Sequence, residues 1–173
     1  MVELYAPVTD GGSRSEYVNL QPWWRDPMVI AGIGEVLATP FLELSPTVVI
    51  GPAASGLLLG GLAAKFLGVG FAAASKNPES VVDSDPWIRA TTPPDYRDRH
   101  LVLGVRRGIL KASDRVLAVD DIVDTGSQLL ALQGMVAAVG ASWVGASVAV
   151  DLLDRNVVRR DLGLRTIFHQ RDL

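Results

Sequence analysis

The chain has 173 residues, 49% of them hydrophobic, no cysteine and a formal net charge of -3. That length fits one domain with a real core, and the apolar share is too high for a disordered chain. The missing thiols exclude a disulfide framework and a thiolate metal site, and the acidic balance argues against a nucleic-acid partner, which needs clustered Lys and Arg.

The N-terminal MVELYAPVTDGG has no basic stretch followed by an apolar one, so it reads as the start of a cytoplasmic protein. Residues 47–51 (TVVIG) are β-branched and apolar on both faces, which predicts a central strand of a parallel sheet. After PAASG, an Ala- and Leu-rich run stops at Gly68 and predicts a helix packed on that sheet. Residues 69–76 predict the next strand, which completes a right-handed βαβ unit. The apolar run 56–74 approaches membrane-spanning length, but Lys65 in its middle and Gly60, Gly61, Gly68 and Gly70 favour helix, turn and strand.

From 77 to 100, Pro78, Pro86, Pro93 and Pro94 break either periodicity, so the segment reads as one long loop and a candidate cover for an active site. Strands are predicted over 101–105, 115–120 and 143–151, and a helix over 128–139 with a stop at Gly140. Residues 154–163 predict a short surface helix with its arginines in water, and 166–169 a final edge strand. Strands alternating with helices imply an α/β class with a mostly parallel sheet.

The stretch AVDDIVDTGSQLL, residues 118–130, carries the chemistry. Its DTGS also occurs around the catalytic aspartate of pepsin-like proteases, but those are all-β and need two such loops, whereas one loop here joins a buried strand to a helix. In open parallel sheets, ligands sit beyond the carboxyl ends of strands. The helix opened by DTGSQ offers free N–H groups at its positive end, Gly126 allows close approach, and Thr125 and Ser127 add hydroxyls, which together suit a phosphate. Asp120 and Asp121 beside it can accept hydrogen bonds from vicinal sugar hydroxyls, or serve as a helix cap with a solvated neighbour. No G-x-x-x-x-G-K-[ST] occurs, so this is not an ATP-type P-loop.

VLAVDDIVDTGSQ resembles the signature of the type I phosphoribosyltransferases: a buried strand, two acids, two apolar residues and a phosphate loop opening a helix. VVIGPAASGLLLGGLAAKFLGVGFAAASK is similar to the pyrophosphate loop, helix and strand of adenine phosphoribosyltransferases, and YVNLQPWWRDP (17–27) to their N-terminal hood segment. The resemblance implies a single domain over 1–173 with a mostly parallel five-stranded sheet flanked by helices. It also implies a hood from about 1–27 plus 151–173 and a mobile loop at about 77–100. The implied reaction joins a purine base to phosphoribosyl pyrophosphate (PRPP) and releases pyrophosphate. Mg2+ accompanies the donor, held through PRPP and by Asp120 and Asp121, and the enzyme is a homodimer. On this pattern Asp120 and Asp121 hold the ribose, and Asp124, Thr125, Gly126, Ser127 and Gln128 hold the 5'-phosphate. Ala53, Ala54, Ser55, Gly56 and Lys76 take the pyrophosphate, and Tyr17, Val18, Ile122 and Asp151 contact the base.

Departures from the pattern bear on function. Asp124 matches the acid or base that hypoxanthine-guanine enzymes place near purine N7, whereas Asp151 matches an acidic residue of adenine enzymes and could accept from an exocyclic amine. The balance favours adenine, with 6-oxopurines and orotate as alternatives. Gln128 stands where the family has Thr, and Ser55 where it commonly has Arg or Lys, a loss that Lys76, Arg97 or Arg99 could offset. Ser55 also keeps open a noncatalytic sensor of PRPP or nucleotide.

Overall fold

The β-branched run at 47–51 becomes the middle of a sheet. In the computed structural model, which describes residues 18, 20–79, 86–92 and 100–172, β1 (Val48–Pro52) is buried along its whole length. It pairs in parallel with β2 (Gly70–Lys76) on one side and β5 (Arg115–Val123) on the other. β6 (Ser142–Asp151) and β7 (Leu164–His169) extend the parallel sheet beyond β5. An antiparallel hairpin, β3 (Trp87–Thr91) and β4 (Val102–Arg106), joins the far side of β2. The order is β3-β4-β2-β1-β5-β6-β7, so the five expected parallel strands form the body of a seven-stranded sheet.

Helices cover both faces, and the strand period of two sorts the core between them. Val116 and Ala118 join Ile50 and Val148 under α4 (Ser127–Val139), through Leu129, Leu132, Met135 and Val136. Leu117 and Val119 join Val49 on the opposite face, under α2 (Pro27–Ala38) and α3 (Ser55–Leu67), through Leu37, Leu59 and Ala63. A short α1 (Gln21–Arg25) precedes α2, and α5 (Asn156–Leu162) links β6 to β7.

Three expectations change. Residues 28–46 carry no predicted element, yet α2 and a 3₁₀ turn (Thr39–Leu44) occupy them. The start signal is Asp26, whose carboxylate accepts from Met28 N at 2.8 Å, with Pro27 at the first helical position. By length and composition Pro27–Leu44 could cross a bilayer, but its α-helix ends at Ala38 and buries Ile33 and Leu37 in the core, and the 3₁₀ turn that follows buries Phe41 there. The reading of 77–100 as uninterrupted loop is corrected by β3, an edge strand whose half-exposed residues hide any apolar alternation. It is pinned by Trp87 beneath the Arg106 guanidinium, 4.9 Å from the ring centre, and by Arg89 donating to Pro78 O at 3.1 Å. Lastly, Arg159 of α5 does not face water but pairs with Asp151.

Ser147 ties α2 to the sheet. Its hydroxyl donates to Leu37 O at 2.7 Å, with both residues buried. Ser147→Ala leaves that carbonyl without this donor, so thermal unfolding is expected to show a loss of about 1–3 kcal/mol, or several degrees in Tm.

Candidate active site

β1 and β5 are neighbours running the same way, and each leads at its carboxyl end into a helix. Two helix N-termini therefore meet at one edge of the sheet. After β1, Ala53 and Ala54 make a turn joined by a cis peptide, with Ala53 N donating to Ala74 O at 2.9 Å, and α3 begins at Ser55. Gly56 is buried in the first turn of α3. A Cβ there would lie 2.6 Å from Pro52 Cδ, 3.0 Å from Val119 O and 3.2 Å from Asp120 Oδ1. Only a glycine lets this turn settle against the end of β5, and that contact brings the 53–56 turn to the acid pair.

Asp120 and Asp121 occupy that strand end. Asp120, 8% exposed, accepts from Asp121 N at 2.9 Å, and Asp121 accepts from Ile122 N at 2.8 Å. Burial, followed by the neighbouring Asp121 charge, holds the Asp120 carboxyl well above the usual carboxylate range. The Lys76 ammonium, at the end of β2, works against that shift without cancelling it. An acid pair at a strand end suits hydroxyl donors, or a divalent cation shared with an anionic ligand. Among the described residues no group of three or more His, Asp or Glu is placed to hold a metal ion.

Beyond Val123 the chain turns through Asp124, Thr125 and Gly126 into α4. Gly126 has φ +79°, and a Cβ would also meet Val158 Cγ1 at 2.7 Å. The left-handed residue turns the following amides towards the helix start. Thr125 Oγ1 donates to Ser127 Oγ at 2.9 Å and accepts from Ser127 N at 3.3 Å, so the two hydroxyls lie side by side. Gly126 stands at the N-cap of α4 and supplies no side-chain cap, while Ser127 N is held by Thr125 Oγ1. Gln128, on the first turn, has its Oε1 buried without a hydrogen-bond partner among the described residues.

The expected base contacts divide. Val18 and Ile122 come together, packed with Leu20, Val150 and Leu152, while Tyr17 lies outside the described residues, as do Arg97 and Arg99. Asp151 does not join them. It is fully buried, and its acceptor positions are taken by Leu153 N (2.8 Å) and Arg159 Nη2 (3.3 Å) on Oδ1, and by Arg159 Nε (2.5 Å) on Oδ2, which also lies 3.3 Å from His169 Nδ1. The expectation that it accepts from a base amine is corrected on that ground, since a carboxylate has about four acceptor sites. Sequence reasoning missed Arg159 and His169, which lie 8 and 18 residues away; an arginine pair on a short polar helix gives no sign that one member turns inward. Trp23 and Trp24 serve the core, Trp23 meeting Phe168 edge-on with ring centres 5.6 Å apart.

Comparison with known proteins agrees with this geometry. Residues 26–166 match the phosphoribosyl transferase domain model. The chain is 28% identical over 144 residues to the xanthine phosphoribosyltransferase of Geobacillus thermodenitrificans, covering 82% of this chain and 74% of that one. It is 30% identical over 139 residues to the adenine phosphoribosyltransferase of Pectobacterium carotovorum, covering 80% and 72%. The crystal structure of adenine phosphoribosyltransferase from Rhodothermus marinus superposes with a TM-score of 0.75 at 23% identity, over 88% of this chain and 86% of that one. With the strand, acid pair and helix-opening loop at one sheet edge, the chain belongs to the phosphoribosyltransferase family and is a phosphoribosyltransferase.

Proposed function

We propose that this enzyme transfers the 5-phosphoribosyl group from PRPP to a purine base, giving a nucleoside monophosphate and pyrophosphate. The observation that carries the proposal is the adjacency of a helix start opened by Gly126, with no N-cap side chain, and an acid pair, Asp120 buried and Asp121 half-buried, on the preceding strand. The helix start suits a monoester phosphate, and the acid pair suits the ribose 2- and 3-hydroxyls one sugar away. The turn at Ala53, Ala54, Ser55 and Gly56, with Lys76 across from it, suits the pyrophosphate. Relatives named for adenine and for xanthine support a purine.

In this reading the chain's own work is alignment. The α4 loop fixes one end of the donor and the α3 turn the other, so the anomeric carbon is held open to the base while charge develops on the sugar. Magnesium bound with PRPP would supply charge neutralisation for the pyrophosphate, and Asp120 and Asp121 would hold it. Asp124 would hold or accept the purine proton. The hood formed by the two chain ends, Val18 included, would cover the base against Ile122 of β5, and the mobile loop within 77–100 would close over the donor. Apolar side chains left exposed on α2 and α3, namely Met28, Val36, Leu57 and Leu58, support a homodimer. A cytoplasmic setting fits substrates of this kind.

The direct test is to mix protein, magnesium and PRPP with adenine, hypoxanthine, guanine, xanthine and orotate and to measure pyrophosphate release. Turnover with a purine is the expected result. Donor-dependent thermal stabilisation without turnover on any base would instead make the chain a sensor, the reading that Ser55 favours.

Asp124→Ala is expected to lower kcat by about 10²-fold or more while leaving PRPP binding measurable, as for loss of a general acid or base. A change of only a few-fold would remove Asp124 from the proton transfer.

Asp120 couples site to stability. A folded-state pKa above the unfolded value means that ionisation costs stability, absent in acid and setting in as pH rises through the unfolded value. Asp120→Asn is therefore expected to raise the Tm of the free enzyme at pH 7, with the gain fading below about pH 4 as the native carboxyl protonates in both states. Turnover is expected to fall at the same time, since a neutral amide is a poor partner for hydroxyls and a cation. Calorimetry across pH beside the pyrophosphate assay checks both.

A further inference from the structure

The end of β2 is a built joint. Asn77, the residue after Lys76, has φ +47°, a left-handed conformation that Asn tolerates better than most side chains. It keeps its place on the sheet all the same. Its N–H donates to Val102 O at 2.7 Å, and its side-chain Oδ1 accepts from Val102 N at 3.2 Å. The carboxamide oxygen thus stands in for the main-chain carbonyl of a regular antiparallel pair. The ladder gains one rung beyond Lys76, and the backbone leaves the sheet in the same step.

The departing segment is fastened in turn. Pro78 lies over Gly104 of β4, where a Cβ would fall 2.5 Å from Pro78 Cγ. Pro78 O accepts from Arg89 at 3.1 Å, and Glu79 O accepts from Trp87 Nε1 at 3.2 Å. Residues 77–79 therefore form a strap from β2 across β4 to β3. Lys76 itself pairs with Leu103 of β4. One strand over, Ala74 O accepts from Ala53 N at 2.9 Å, which ties the turn after β1 to the same strand end. The Lys76 ammonium is close enough to draw the Asp120 carboxyl downward against its burial. A lysine head rides on a flexible four-carbon stem, so it is only as well placed as the backbone beneath it.

Resting on the assignment of Lys76 to the pyrophosphate made above, we propose that Asn77 is a positioning residue for phosphoribosyl transfer: by locking the left-handed exit from β2 it aims Lys76 at the 53–56 turn. The demand on Lys76 is high because that turn, Ala53-Ala54-Ser55-Gly56, carries no cation of its own. The carboxamide oxygen of Asn77 is committed to Val102, so its influence on the donor runs through its neighbour.

The test is steady-state pyrophosphate release, with PRPP varied at saturating purine and purine varied at saturating PRPP, for the wild type, Asn77→Ala, Lys76→Ala and the double variant. Asn77→Ala is expected to raise KM for PRPP by about 10-fold or more, with KM for the purine within about two-fold of wild type. In the Lys76→Ala background the same substitution is expected to add less than about two-fold, because the group it places is gone. An unchanged KM for PRPP, a loss of equal size in both backgrounds, or KM values for donor and purine that rise together overturns the proposal and leaves the phosphoribosyltransferase reading standing. A Lys76→Ala enzyme with wild-type KM for PRPP takes Lys76 off the pyrophosphate, and the role of Asn77 falls with it. Where Asn77→Ala does not fold, Asn77→Gly, which takes the bend freely and lacks only the acceptor, goes through the same cycle with the same deciding outcomes. Absence of turnover with every purine overturns both readings.

Discussion

The site depends on how closely α3 can approach the end of β5. Gly51 and Gly56 allow it: a Cβ on Gly51 would fall 2.0 Å from Gly56 O, and one on Gly56 would strike Pro52 and approach Asp120. With both missing, the turn after β1 lies beside the acid pair after β5, and two helix starts face one edge. Parallel pairing of β1 with β5 makes this possible, since it sends both chains to the same side. A ligand with a phosphate at each end of a sugar is the natural guest of two uncapped helix starts flanking two carboxylates.

Charge sets the second constraint. Asp120, Asp121 and Asp124 lie within five residues, and where the related loop commonly carries a cation the chain has Ser55. Lys76 acts on Asp120 without restoring an ordinary carboxylate. On the proposed reading, a phosphorylated donor and its counter-ion would bind together against this acid-rich loop. Asp120, buried beside a second carboxylate, would be a poor choice for stability alone.

Much of this was legible in the chain. Runs such as TVVIG and VLAVD are apolar on consecutive positions because helices cover both faces, and the helices end at Gly68 and Gly140 with left-handed caps. The DDIVDTGS loop could be placed because its glycine, hydroxyls and acids are local. What escaped depends on distance. β3 is held by partners on β4 and by Pro78, none of which its own sequence reveals, and its half-exposed residues, set among prolines and polar residues, look like loop. The start of α2 was written in Asp26-Pro27, but the helix is apolar nearly all round, with Met28 79% and Val36 51% exposed, so no clean stripe marks it.

Asp151 is the instructive miss. At the end of an apolar strand, a carboxylate reads as a ligand contact, because strand ends are where ligands bind. That inference treats the side chain as if its charge were unspent. Here an arginine eight residues on and a histidine on the next strand reach back to it, and its fully buried oxygens answer to them and to Leu153 N. The sign of the surface is thereby inverted: the acid is inside, and the cations it orders are outside. Identity at one position therefore carries less information than the pair it forms, and only the fold reveals the pair.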